Sequence, residues 1–141
     1  MSGRLIVDAS FIASLFLDEE HSAFASGRFR ETSDLTPWAS DILPWEIANI
    51  LRTQRRRGLF SAESSDRLFA GFLDMRISLA AKPDPSEYRE VARLADRFEL
   101  SAYDAGYLWL ALNGADPLAT LDRRLATAGI AAGLSIHAPF A

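Results

Sequence analysis

Leu5-Ile6-Val7 is apolar without interruption and is closed by an acid, Asp8. A strand with one wet face alternates apolar and polar residues. An unbroken short run is instead the pattern of a strand covered on both faces of a parallel sheet. The rest of the chain fits that start. Further strands are predicted near Leu35-Thr36-Pro37, Ile77-Ser78-Leu79, Leu118-Ala119-Thr120-Leu121 and Leu134-Ser135-Ile136. Between them, helices are predicted at about 10–17 with Ser10 as cap, 20–31, 41–57, 61–73, 85–97, 101–113 and 122–128. The third is the best marked: Asp41 can cap it, Pro44 falls in the first turn, Arg55, Arg56 and Arg57 suit its negative end, and Gly58 suits its C′ position. Gly114 is placed to stop the helix that Ser101 opens. Alternating strands and helices predict an α/β fold, a single domain over residues 1–141 with a central, mostly parallel sheet flanked by helices. At 141 residues, such a domain buries about 70% of its unfolded surface.

Composition narrows the chemistry. There is no cysteine and there are two histidines, His21 and His137, so disulfides, zinc–thiolate sites and cysteine nucleophiles are excluded. A metal would have to be held by oxygen or imidazole, and oxygen ligation favours Mg²⁺ or Mn²⁺. The net charge of −4 argues against binding nucleic acid by bulk charge, but leaves room for a local basic strip or a bridging cation. Arg4 and the following apolar residues resemble a secretory leader only superficially. Asp8 interrupts them, and Asp18-Glu19-Glu20 follow with no small-residue cleavage site. No segment approaches the ~20 apolar residues of a membrane span. The expectation is a cytoplasmic protein without membrane contact.

Four acids stand out: Asp8, Glu46, Asp104 and Asp122. Asp8 and Asp122 each follow a predicted strand, where sites form in open α/β sheets, although both also suit helix capping. Asp104 completes a capping-box pattern with Ser101. Glu46 resists such an explanation. Its helical neighbours Ile42, Leu43 and Ile50 are apolar, with only Asn49 polar beside it, and burial of its charge would call for a positive partner.

The segments around these acids resemble the PIN-domain nucleases, and among them the VapC-type toxins of toxin–antitoxin pairs. The match is carried by Val7-Asp8-Ala9-Ser10, by Pro44-Trp45-Glu46-Ile47-Ala48-Asn49-Ile50-Leu51, by Leu100-Ser101-Ala102-Tyr103-Asp104-Ala105, and by Leu118-Ala119-Thr120-Leu121-Asp122-Arg123-Arg124-Leu125. They occur in the family's order from residue 4 to about 136, whereas residues 59–99 carry no motif. The resemblance implies that the four acids converge at one end of the sheet. It implies Asp8 and Asp104 as the most direct ligands of one or two Mg²⁺ or Mn²⁺ ions, with Glu46 and Asp122 completing the site directly or through water. Ser10 and Thr120 match positions that orient the carboxylates, and Asn49, one turn beyond Glu46, is a candidate for the same role. The implied activity is endoribonucleolytic. The implied partners are an RNA substrate, a second copy of the chain, and an antitoxin whose extended tail covers the acids.

The chemistry then follows from charge. Two carboxylates about 4 Å apart repel by roughly 4 kcal/mol at an effective dielectric of 20. Several together would protonate unless a cation offsets them.

Arg52, Arg55, Arg56, Arg123 and Arg124 are candidates for gripping the RNA backbone, with a solvated helix end as the plainer reading of most. Trp38, Trp45, Trp109, Phe11 and Phe16 are read as core rather than as stacking platforms. Competing functions are a PIN-like nuclease of RNA processing or structured DNA with no antitoxin, and a non-catalytic RNA- or protein-binding PIN module. The intact set of acids counts against the second. Aspartyl phosphotransfer fits poorly, since it wants a late lysine and the only lysine is Lys82.

Overall fold

The computed structural model describes residues 3–140. Five strands form one sheet: β1 (Arg4–Val7), β2 (Thr36–Ala39), β3 (Ser78–Leu79), β4 (Leu118–Ala119) and β5 (Ile136–His137). The order is β3-β2-β1-β4-β5, and every pairing is parallel. Seven helices connect and flank the strands: α1 (Ala9–Ala13), α2 (Ser22–Glu31), α3 (Leu43–Arg56), α4 (Ala62–Asp74), α5 (Pro85–Phe98), α6 (Ala102–Gly114) and α7 (Arg123–Ala131). Leu5, Ile6 and Val7 are buried at the centre of the core, as their unbroken apolarity requires.

The strand order fixes where a site can form. From β1 the chain builds outward through β2 and β3, then crosses back to lay β4 against the other side of β1. The crevice between β1 and β4, beyond their carboxyl ends, is the switch point of an open α/β sheet. Asp8 leaves β1 there, and Thr120 to Asp122 leave β4.

Several predicted boundaries move, each for a local reason. Asp8 rather than Ser10 caps α1, accepting the amide of Phe11 at 2.9 Å. Asp41 does not cap α3, which starts at Leu43 with Ile42 in the cap position and no side-chain cap. The strand expected to Leu121 ends at Ala119, because the amides of Leu121 and Asp122 turn to the hydroxyls of Ser10 and Thr120. The last strand starts at Ile136, since the amide of Leu134 still bonds Gly129 at the end of α7. Gly58 takes the left-handed C′ conformation after α3, with φ of 76°. After α6 that conformation falls on Ala115, not Gly114. A Cβ at Gly114 would collide with the Asp116 carboxylate and Arg4, whose ion pair at 2.7 Å ties the start of β1 to the turn before β4. Gly114 is needed for space rather than for its φ.

Candidate active site

Asp8 is 3% exposed and held by three donors. Ser10 Oγ donates to Oδ1 at 2.7 Å, the Phe11 amide donates to the same oxygen, and Thr120 Oγ1 donates to Oδ2. Neither hydroxyl is free to turn away. Ser10 Oγ accepts the Leu121 amide at 2.9 Å, and Thr120 Oγ1 accepts the Asp122 amide at 2.9 Å. Each hydroxyl thus accepts a backbone amide and donates its proton to Asp8. The carboxylate therefore has one orientation, and Oδ2 keeps one lone pair unused. A hydroxyl that bridges β4's end to β1's end in this way makes the crevice itself part of the site.

Glu46 lies in the first turn of α3, at the edge of the stripe buried by Leu43, Ile47 and Leu51. The partner that meets it is neutral. Tyr107, fully buried on α6, donates its hydroxyl to Glu46 Oε1 at 2.7 Å. Sequence reading did not single out Tyr107. Its position three residues after Asp104, on the same helix face, was the available signal. Asp104 sits in the first turn of α6, where its amide donates to Ser101 Oγ at 3.1 Å. Asp122 caps α7, its Oδ1 accepting the Leu125 amide at 3.1 Å. The capping expected of Asp8 and Asp122 is thus present, and it uses Oδ1 of each.

The carboxylates act on one another. Burial raises Asp8 to about 6 against the three hydrogen bonds that favour its charge, and the Asp104 charge raises it further. Burial raises Glu46 to about 7, against the Tyr107 bond, with Asp8 and Asp104 adding repulsion. Asp104 is pushed up by burial and then by Asp122. Tyr107, buried against this charge, is held firmly protonated. Acids from four separate segments therefore share one negative field. Among the described residues, no ion pair reaches any of the four.

The PIN domain family model matches residues 5–130 of the chain. This chain belongs to the PIN-domain family. It is 31% identical over 123 residues to Ribonuclease VapC3 of Pyrobaculum aerophilum, covering 87% of this chain and 92% of that protein, which places it with the VapC type. Two solved structures share the fold. PAE2754 from Pyrobaculum aerophilum superposes with a TM-score of 0.69 at 24% identity, over 96% of this chain and 92% of the other. FitAcB from Neisseria gonorrhoeae gives 0.54 at 12% identity, over 94% and 95%.

Whether this PIN domain suits a divalent cation depends on its donors. They are carboxylate oxygens, hard ligands that Mg²⁺ and Mn²⁺ prefer, and their mutual repulsion lacks a counter-charge. As the side chains lie, no three acids among the described residues stand close enough to share one ion. Asp8 is held by three hydrogen bonds, whereas Glu46, Asp104 and Asp122 are only partly buried. The donor set fits.

The remaining candidates are more dispersed. Asn49 is exposed, and no hydrogen bond among the described residues joins it to Glu46, so the orienting role falls to Tyr107 instead. Arg52, Arg55 and Arg56 are exposed along α3, and Arg123 and Arg124 at the start of α7. Arg123 lies over the Phe140 ring at 4.3 Å. Phe11 is core, and Trp38, Trp109 and Phe16 pack against it. Trp45 is the exception at 79% exposure. It sits two positions from Leu43 and Ile47 on a 3.6-residue helix, which turns it away from the buried stripe.

Proposed function

We propose that this PIN domain is a divalent-metal-dependent endoribonuclease and the toxin of a toxin–antitoxin pair. The observation that carries the reading is the shared field of Asp8, Glu46 and Asp104. Burial raises all three carboxyls; Asp104 adds repulsion to Asp8, Asp8 and Asp104 add it to Glu46, and Asp122 adds it to Asp104, with no ion pair to any of them among the described residues. A structural role would have paired them. The VapC-type likeness supports RNA as substrate and a toxin's role.

In this reading Asp8 and Asp104 hold the cation, with Glu46 and Asp122 completing the set. One or two bound Mg²⁺ or Mn²⁺ ions would supply positive charge against acids and phosphate and make nearby water more acidic. The protein's own part is orientation and proton movement. Ser10 and Thr120 fix Asp8 in one pose. Tyr107 holds Glu46 Oε1, leaving Oε2 to accept the proton that water gives up as its oxygen attacks phosphorus. The P–O3′ bond breaks in line with that attack, the departing oxygen takes a proton from solvent, and the products end in 3′-hydroxyl and 5′-phosphate. The exposed arginines of α3 and Arg124 on α7 would meet the strand's other phosphates.

A negative pocket with free carboxylate oxygens suits inhibition by a positive side chain on an extended antitoxin tail. We expect the toxin to be a cytoplasmic homodimer when free. The test is to purify the chain without partner, incubate it with total RNA, and map the cut ends with and without chelator. Cuts bearing 5′-phosphates that vanish in chelator and return with Mg²⁺ or Mn²⁺ are expected. Cleavage that persists in chelator would overturn the reading.

A further inference from the structure

Trp45 and Tyr103 are, at 79% and 64%, the two most exposed large aromatics or aliphatics near the acids. Each immediately precedes a site acid: Trp45 before Glu46 on α3, Tyr103 before Asp104 on α6. Both line one open cavity of about 550 Å³, together with Ile42, Ile50, Asn49 and Glu46 itself. One of the four acids, Glu46, is therefore part of the cavity wall, and Tyr103 on its lining is the chain neighbour of another, Asp104.

Its chemistry selects what can enter. No lysine or arginine lines it and one wall is a carboxylate, so a phosphate or an acidic side chain is repelled. Apolar rings and aliphatic side chains with a single amide suit a flat, uncharged, hydrogen-bonding group. A nucleobase has those properties, and one attached to the phosphodiester held at the acids is tethered within reach. Beyond the cavity, α3 continues in kind. Trp45, Asn49, Arg52 and Arg56 recur at i, i+4, i+7 and i+11 and are all exposed, which puts them on one stripe of the helix. The cations come about 10 and 16 Å from Trp45 along the axis. An aromatic platform followed by positive charge is the pattern by which proteins bind single strands.

We propose that Trp45 and Tyr103 form a stacking subsite for an unpaired base beside the scissile phosphate, with Asn49 at the base edge and Arg52 and Arg56 on the strand that follows. The proposal deepens the ribonuclease reading and depends on it. A base inside a helix cannot leave its stack at no cost, so the subsite makes the substrate single-stranded RNA or a loop.

The test is binding of a fluorescent single-stranded oligoribonucleotide in Mg²⁺ to the full chain carrying Asp104→Asn, which is not expected to cut it, with positions 45 and 103 wild type or changed by Trp45→Ala, Tyr103→Ala or Trp45→Phe. Both side chains are exposed, so circular dichroism should be unchanged. Loss of stacking is expected to weaken binding roughly tenfold to hundredfold in Trp45→Ala, while Trp45→Phe keeps most of it. An oligonucleotide with one abasic site in register should lose as much, and should lose no more in Trp45→Ala. Equal affinity in Trp45→Ala and wild type would overturn the subsite while leaving cleavage, and so the nuclease reading, intact. Altered sedimentation of Trp45→Ala with unchanged oligonucleotide affinity would overturn it too, assigning the face to a second copy of the chain. No binding and no cleavage by the wild type would remove both readings.

Discussion

Tyr107 donates its hydroxyl to Glu46 at 2.7 Å, joining the middle of α6 to the first turn of α3. The tyrosine is fully buried, so the bond sets Glu46's position as well as its protonation. It is the one contribution that lowers the pKa of a carboxyl otherwise raised by burial, Asp8 and Asp104. Tyr107→Phe keeps the ring and deletes the bond. A neutral-to-charged hydrogen bond contributes about 1.5–3 kcal/mol, part of which water restores at a half-buried glutamate. Cleavage should fall about tenfold in kcat with little change in KM. The acid limb of the pH–rate profile should move to higher pH, because losing the donor disfavours the carboxylate. An unchanged profile would reduce Tyr107 to packing.

Asp104→Asn removes a charge with little change of shape, and no ion pair among the described residues depends on that charge. We expect loss of cleavage by at least about a thousandfold, measured on a defined single-stranded RNA. The melting temperature should stay level or rise, since Asp122 and Glu46 lose a like-charged neighbour. Asp8→Asn should be equally inactive but less neutral structurally. Donors from Ser10, Phe11 and Thr120 meet both oxygens of Asp8, and an amide there keeps only one acceptor oxygen for them. Metal-dependent cleavage surviving in either variant would refute their assigned roles.

The sequence made the fold legible wherever a local rule was decisive. Leu5-Ile6-Val7 announced a two-sided parallel strand, and Pro44 and Gly58 bracketed α3 because proline and glycine act through their own backbones. Boundaries set by distant partners were not legible. Nothing in Thr120-Leu121-Asp122 says that hydroxyls will take their amides and end β4, since Ser10 lies 111 residues before Leu121. Glu46 was conspicuous because it broke an apolar stripe. Its partner was hidden because a tyrosine in a buried helix reads as core until its hydroxyl is seen to point at a carboxylate. Trp45 failed in the opposite direction, since aromaticity predicts burial only when the helix face agrees.

The arginines can be sorted by salt. Arg52 and Arg56 continue the exposed stripe that starts at Trp45, whereas Arg123 is engaged with Phe140. Each lost phosphate contact lowers the slope of log K against log salt by roughly 0.7 for a single strand. Arg52→Ala and Arg56→Ala should each show that reduction in a binding titration, and together about twice as much. Arg123→Ala should leave the slope unchanged. An unaltered slope in the double variant would make the end of α3 a solvated helix terminus and nothing more.

Stability should report the cation independently of catalysis. Native Asp8 titrates near 6 against an ordinary 3.8, and Glu46 near 7 against 4.5. Folded protein therefore keeps protons that the unfolded chain has already released. The stability these two groups contribute is present below about pH 4 and is lost as pH rises through 6 to 7, where ionisation leaves unrelieved negative charge. In chelator, the melting temperature should fall between pH 5 and pH 8, and the fall should be shallower in Glu46→Gln, which cannot ionise. Adding Mg²⁺ or Mn²⁺ should raise the melting temperature at pH 8 far more than at pH 5, because only the ionised acids bind it. Sodium chloride at matched ionic strength separates site binding from general screening. A metal effect of the same size at both pH values would show that these acids are not where the ion binds.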